Sequence, residues 1–400
     1  MFKVTDIHKI YALGFFDMFL VIIPVVVPYF LSLGLSMEEI FQLQAVFGLA
    51  VAVMEVPSGY LCDLWGRKRT LCLGTFCGGI GFSLLWIADS YWSLLVYQLV
   101  LALSASLVSG TDISILYDLL KERNQQNRLS FTKTVANRQL ATVSGESVAS
   151  IVGGFLAVIS WHAVILFQIV FGWFPFVISL TLREPHYKKM DHTNHAGNFR
   201  KIIKHIFFSD RLLTLIFINL VLWGLATFIA VWIFQKHWHL GNIDLAYFGL
   251  IWAVYNVTVG IMGQLSGWLE QKLGAVPLIA ALGLLPIVGY FGLAWFSSWL
   301  GVAFGLLFQL SRGITQVILR EALNWRVPSE FRATANSLSS LFFRLGFAII
   351  GPFVGYLIDK VGLSSTAMYL GYLFLVVFFL ALIPLMNAVS RLNIESIPNS

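Results

Sequence analysis

Apolar stretches of helix-spanning length recur along this chain, near residues 10–31, 40–60, 70–88, 92–118, 132–158, 162–182, 212–235, 244–268, 276–296, 299–323, 334–358 and 363–387, and most charges are confined to the gaps. A helix crossing the hydrocarbon of a bilayer needs about 20 apolar residues, so each stretch is long enough. Because lipid cannot hydrogen-bond an exposed backbone, continuous apolar runs must cross as helices. The pattern predicts an all-α membrane protein with twelve transmembrane helices, numbered below as spans 1 to 12. Charged residues fill 12% of the 400 positions, about half the share of a soluble chain. Soluble enzymes and nucleic-acid-binding proteins are thereby excluded.

The long polar interruption at 183–211 divides the chain into an N-terminal six-helix bundle (1–182), a cytoplasmic linker (183–211), a C-terminal six-helix bundle (212–390) and a cytoplasmic tail (391–400). Phe199 to Phe208 mixes apolar with basic residues, as either a helix lying on the membrane or a solvated connector would. Twenty of the 26 lysines and arginines fall on the side shared by the linker and both termini, while Lys236 and Lys360 fall on the other. Retention of cations on the inner side therefore places both termini in the cytoplasm, in an inner-membrane, multi-pass protein. The net charge of +6 reflects that retention and not an acidic partner. Cys62, Cys72 and Cys77 have neither CxxC spacing nor histidines nearby, so no disulfide framework or zinc site is expected. Residues 1–9 carry Lys3, Asp6 and Lys9 with no small-residue cleavage site before the first apolar run, so that run is expected to stay as a helix and not to be removed as a signal peptide.

Internal repeats refine this outline. Gly59-Tyr-Leu-Cys-Asp63-Leu-Trp-Gly66 after span 2 is echoed by Gly267 to Gly274 after span 8 and Gly355 to Gly362 after span 11, with a weaker trace at Gly154-Phe-Leu156. Copies that alternate in predicted sidedness are what inverted helix triplets produce. A second repeat, at an offset of 203 residues, relates Gly110, Ile115, Leu116, Asp118, Leu120 and Arg123 of span 4 to Gly313, Ile318, Leu319, Glu321, Leu323 and Arg326 of span 10. The two bundles are therefore expected to be pseudo-symmetric.

Over nearly its whole length the sequence resembles the major facilitator superfamily, most specifically in Gly59-Tyr-Leu-Cys-Asp63-Leu-Trp-Gly66-Arg67-Lys68-Arg69, which is similar to the family signature G-x-L-x-D-x-x-G-R-K/R. The resemblance implies a secondary transporter with the major facilitator fold, in which Asp63 and Arg67 form a cytoplasmic latch. Glycines at Gly59 and Gly66 permit a tight turn and close helix approach, and Asp63 can cap a neighbouring helix. The second-half copy carries Gln271 and Ala275 where the first has Asp63 and Arg67. Gly145, Ala149, Ser150, Gly153 and Gly154 of span 5 partly match the glycine-rich signature of the drug-antiporter branch. Gln98 stands where proton-driven exporters commonly carry an arginine.

Ionisable groups within a span cost at least about 2.5–3.5 kcal/mol and must find protein or water. Here they include Asp17, Glu55, Asp112, Asp118, Arg138, Glu146, Arg312, Arg320, Glu321 and Arg344. Asp118, Arg123, Glu321 and Arg326 read as gate pairs alongside Gly59, Asp63, Gly66 and Arg67. Asp17, Asp112, Glu146 and Arg312 read as substrate or proton groups, or as structural pairs. Gln98, Asn219, Trp223, Thr227, Gln309 and Gln316 are candidate cavity walls, mixing aromatic and neutral polar groups suited to an amphipathic organic cargo. His237 and His239 flank Trp238 as either an interfacial anchor or a metal pair. No nucleophile and base pair and no phosphate-binding glycine loop occurs, so neither an enzyme nor a cofactor is expected. The expected function is secondary active transport of a small organic solute by a monomer that exchanges protons and contacts membrane lipids. Efflux by antiport leads; proton-coupled import of a nutrient or siderophore, or a non-transporting receptor, are the alternatives.

Overall fold

The computed structural model describes residues 5–122, 128–184, 206, 210–328 and 331–395, without the side chains of Val56, Asp63, Glu122, residues 128–132, Ala333 and residues 392–395. The described residues are almost entirely helical and contain no strand. Among the described residues, ten helices are long and apolar enough to cross a membrane. The other two expected spans are present in altered form. Span 1 is split into Asp6–Asp17 and Val26–Ser32, and span 3, Arg67–Leu84, opens on three basic residues.

Two compact units emerge, Met1–Asp191 with Asp244–Ala253, and His192–Ile243 with Val254–Ser400. In the first, span 2 is Met37–Trp65, span 4 is Tyr91–Val108 plus Thr111–Glu122, span 5 is Arg128–Ile159, and span 6 is Trp161–Gly172 plus Phe174–Thr181. Its core joins Ile10 and Leu13 of span 1 to Leu71 of span 3 and Val108, Ile115, Leu116 and Leu119 of span 4. Span 7 is Arg211–Leu240, span 8 is Leu245–Leu273, span 9 is Ala275–Trp295, and span 10 is Ser298–Ile314, a π segment at Thr315–Leu319, then Arg320–Arg326. Span 11 is Arg332–Val361, and span 12 is Leu363–Val377, a π segment at Phe378–Leu382, then Ile383–Glu395. In the second unit, Tyr290 stacks on Phe374 and donates its hydroxyl to the Ala226 carbonyl at 2.6 Å, satisfying a buried polar group.

The repeat signature is not a loop. Span 2 continues to Trp65 and span 3 starts at Arg67, so one residue, Gly66, makes the whole turn. Its φ of +103° and ψ of 151° lie in a region only glycine occupies readily. Gly274 (+84°, 164°) and Gly362 (+85°, 160°) adopt the same conformation at the equivalent turns. Where the fourth trace is weak, Ser160 turns the chain with extended backbone and caps span 6 by accepting from Ala163 N. Gly59, by contrast, lies within span 2 with open space where its Cβ would be. It provides neither the turn nor the close helix approach expected of it.

Spans 1 and 4 were expected to be continuous, and both break. Pro24 lacks an amide hydrogen and its ring crowds the carbonyl four residues earlier, so the chain unwinds over Met18–Ile22. Gln168 of span 6 accepts the freed Ile22 amide at 3.3 Å. In span 4, Gly110 takes a φ of +76°, and the Thr111 hydroxyl bonds the Leu107 carbonyl at 2.8 Å. In the 203-residue repeat the π segment of span 10 corresponds to residues 112–116, just after the break at Ser109–Gly110, so the two related spans lose helical regularity a few residues apart. Span 12 continues to Glu395, beyond the end expected near 387. Residues 199–208, apart from Ile206, lie outside the described residues, as do 396–400.

Candidate transport site

The breaks in spans 1 and 4 bring carboxylates to one cavity inside the first unit. Asp17 is the last residue of the first half of span 1. Asp112 opens the second half of span 4. Both line a cavity of about 420 Å³ with Arg138 of span 5. Asp112 is 2% exposed and forms an ion pair with Arg138. Its other oxygen, Oδ1, accepts the Ile113 amide at 2.7 Å. Taking two charges out of water is costly, and close pairing is what offsets that cost. Two carboxylates against one guanidinium leave one acidic equivalent in the cavity. The rest of its wall mixes rings such as Phe16, Phe47 and Phe82 with the hydroxyls of Thr75, Ser104 and Ser109.

Span 1 lies directly against span 5 because glycines face it. A Cβ on Gly145 would overlap the Phe15 carbonyl, and one on Gly153 the Val21 carbonyl. Only glycine permits that backbone approach. Glu146, next to the first of these, accepts a hydrogen bond from Trp252 Nε1 at 3.3 Å and does not line the cavity.

A second cluster lies at the Gly66 turn. Arg67 forms an ion pair with Asp118 of span 4, which is 5% exposed, and donates to the Ser114 carbonyl at 2.6 Å. Asp63, the expected latch partner, has its side chain outside the described residues, as Arg123 does entirely. The N-terminus of span 3 is held by Glu184, whose two oxygens accept the amides of Arg67 at 2.8 Å and Lys68 at 3.0 Å. A carboxylate against exposed helix amides and the positive end of the helix dipole is a stabilising arrangement. Sequence reasoning placed Glu184 among the linker charges and missed this role, since nothing in spacing links residues 117 positions apart.

The second half handles the equivalent acid differently. Ala275 stands where Arg67 would be, so Glu321 has no such arginine; it is exposed and accepts Trp325 Nε1 at 3.2 Å. Arg326 reaches Asp210 at 3.1 Å instead. Arg312 is half-buried in span 10, three residues before the π segment.

The neutral polar residues expected to wall a cavity lie mainly in packed interior. Asn219 is fully buried, donates to the Leu215 carbonyl and, at 2.9 Å, to the Ala381 carbonyl in the π segment of span 12. Trp223 Nε1 donates to Asn219 Oδ1 at 3.0 Å, so the two lock each other. Thr227 bonds the Gly224 carbonyl at 3.0 Å. Gln98 and Gln309 are buried, and Gln316 is exposed on the span 10 π segment. His237 donates from Nε2 to the Phe296 carbonyl at 2.9 Å, a contact that packs the end of span 7.

Repeated apolar spans, glycine-turned repeats and a charged internal cavity define a polytopic membrane transporter rather than an enzyme. The chain belongs to the Major Facilitator Superfamily, whose profile matches residues 10–350. Among its relatives, the uncharacterised MFS-type transporter YxaM of Bacillus subtilis (strain 168) is 24% identical over 94% of this chain and 91% of its own length. The quinolone resistance protein NorA of Staphylococcus aureus (strain N315) is 23% identical over 42% of this chain and 43% of its own. Among solved structures, the nucleoside transporter NupG superposes with a TM-score of 0.80 at 13% identity, covering 96% of this chain and 99% of that one. A D-xylose-proton symporter reaches 0.66 at 15% identity, over 92% and 95%. At such identities the structural matches establish the fold alone.

Proposed function

We propose that this transporter expels an amphipathic organic cation across the cytoplasmic membrane in exchange for protons, working as a monomer with both termini in the cytoplasm. The observation that carries this reading is the acid excess in the first-unit cavity. Asp17 and Asp112 face a single Arg138, and the remaining acidic equivalent can be neutralised by a proton or by a cationic cargo, but not by both at once. Mutually exclusive occupancy of one carboxylate is sufficient for antiport if access to it alternates between the two faces. The aromatic and hydroxyl walls supply apolar surface and hydrogen bonds without fixing one ligand geometry, consistent with a drug-like compound or metabolite. Likeness over part of the chain to a protein named for quinolone resistance supports a drug-like organic cargo. The cation excess on the linker and termini supports the orientation.

The test is transport by purified protein in proteoliposomes, with ethidium and norfloxacin as probes and the pH gradient imposed or collapsed. The proposal expects movement of a probe against the proton gradient and its loss on adding a protonophore. Inward accumulation of a nutrient driven with the gradient would establish import instead, and saturable binding without flux would establish a receptor.

A further inference from the structure

Three arginines meet at one end of the second unit. Arg211 begins span 7, Arg326 ends span 10 and Arg391 lies in the last turns of span 12, and all three line a cavity of about 490 Å³. The acid in the same cavity is already engaged. Asp210 caps span 7 by accepting the Leu212 and Leu213 amides at 2.9 and 3.2 Å, and its second oxygen pairs with Arg326. The described lining sets three guanidinium groups against the single carboxylate of Asp210, and among the described residues no acid pairs with Arg211 or Arg391. Pro384 and Ala388 of span 12 leave its wall open, and Asn387 adds an amide.

Beside it lies a cavity of about 350 Å³ that shares Leu212 and Arg326; Ile216, Ile279, Ile318 and Leu385 form an apolar wall, and the half-buried Glu270 and the exposed Glu321 complete its lining. A chamber of three arginines joined to the apolar wall of its neighbour matches a molecule with an anionic head and a hydrocarbon tail, the head held at the arginines and away from Glu270 and Glu321. The same end of these spans is where the cation count puts the cytoplasmic surface, and anionic lipid is concentrated in that leaflet. Arginine suits this role because its planar fork bonds phosphate oxygens in pairs. A free phosphate would use the arginines but not the apolar chamber.

We propose that this paired cavity binds one anionic phospholipid, with its phosphodiester between Arg211, Arg326 and Arg391 and an acyl chain along the chamber walled by Ile216 and Leu385. The site is separate from the cargo cavity, and the proposal does not depend on the direction or chemistry of transport.

The experiment uses the full-length protein, delipidated in a neutral detergent and titrated with phosphatidylglycerol, with phosphatidylcholine of equal chain length, and with inorganic phosphate. Thermal unfolding gives affinity and native mass spectrometry gives stoichiometry. Phosphatidylglycerol should raise the unfolding midpoint saturably with one molecule retained, while the other two leave it unmoved. Each basic residue near an anionic headgroup contributes about 1 kcal/mol, roughly five-fold in affinity. Arg211→Gln and Arg391→Gln should each weaken binding about five-fold and the double variant about 25-fold, with Arg391→Lys retaining most of it. Both arginines are exposed, so the apo midpoint should stay near that of the unaltered protein. Ala388→Trp, which fills the headgroup chamber without altering charge, should also weaken binding. Undiminished affinity in the double variant, or equal binding of phosphatidylcholine, would overturn the proposal. A midpoint shift reproduced by inorganic phosphate would assign a free-anion site and overturn the lipid.

Discussion

Gly66 and Glu184 work as a unit, the glycine turning the chain within one residue and the carboxylate satisfying the amides that the turn exposes. Gly66→Ala forces a side chain into a glycine-only conformation and sets its Cβ 3.1 Å from Glu184 Oε1. It should cost about 1–3 kcal/mol, read as a lowered unfolding midpoint. Gly59→Ala, where a Cβ meets open space, should leave the midpoint unchanged or slightly raised. Equal losses in both would show that the turn geometry is not what Gly66 provides. At the buried pair, Arg138→Leu strands the Asp112 carboxylate and should cost about 3–5 kcal/mol. Adding Asp112→Asn to it should restore most of that loss. A double-mutant cycle with no coupling would separate the two residues energetically. The turning glycines were legible at this scale because the same glycine spacing recurs at the ends of three spans, where the chain must reverse. Glu184 was not, because its partners lie far away in sequence.

At the level of elements, two departures from regular helix are met by a polar side chain from another span. Gln168 takes the Ile22 amide in the gap of span 1, and Asn219 takes the Ala381 carbonyl in the π segment of span 12. Gln168→Leu leaves a buried donor unmade and should cost about 1–3 kcal/mol. The Ile22 amide should then exchange hydrogen faster, and unchanged exchange there would show that the break holds without Gln168. Gly145→Ala or Gly153→Ala should push span 1 off span 5 and reduce the yield of folded protein, whereas Gly260→Ala, in open space, should not. Apolar length and charge spacing located the spans, but hydropathy averages over a window and cannot resolve a break of a few residues. Pro24 and Gly110 were visible as breakers, yet both occur inside strongly apolar runs. Asn219 and Trp223 looked like cavity walls for a related reason: a polar side chain on a span reads the same whether it faces cargo or a neighbouring carbonyl.

For the whole molecule, duplication explains both what the halves share and where they differ. The glycine turns at Gly66, Gly274 and Gly362 keep one backbone conformation. The charges have diverged, with an arginine at the first turn and Ala275 at the second. The acid excess belongs to the first unit, which makes Asp17 the residue on which coupling should depend. The most direct measurement compares Asp17→Asn with the unaltered protein in proteoliposomes, recording cargo exchange at equal pH on both sides and net transport driven by a pH gradient. The account predicts that the variant no longer concentrates cargo when the gradient is imposed and loses the pH dependence of transport, and that its cargo exchange is weakened too, because the same carboxylate receives the proton and the cationic cargo. Gradient-driven accumulation at the unaltered rate, with an unchanged pH profile, would contradict it.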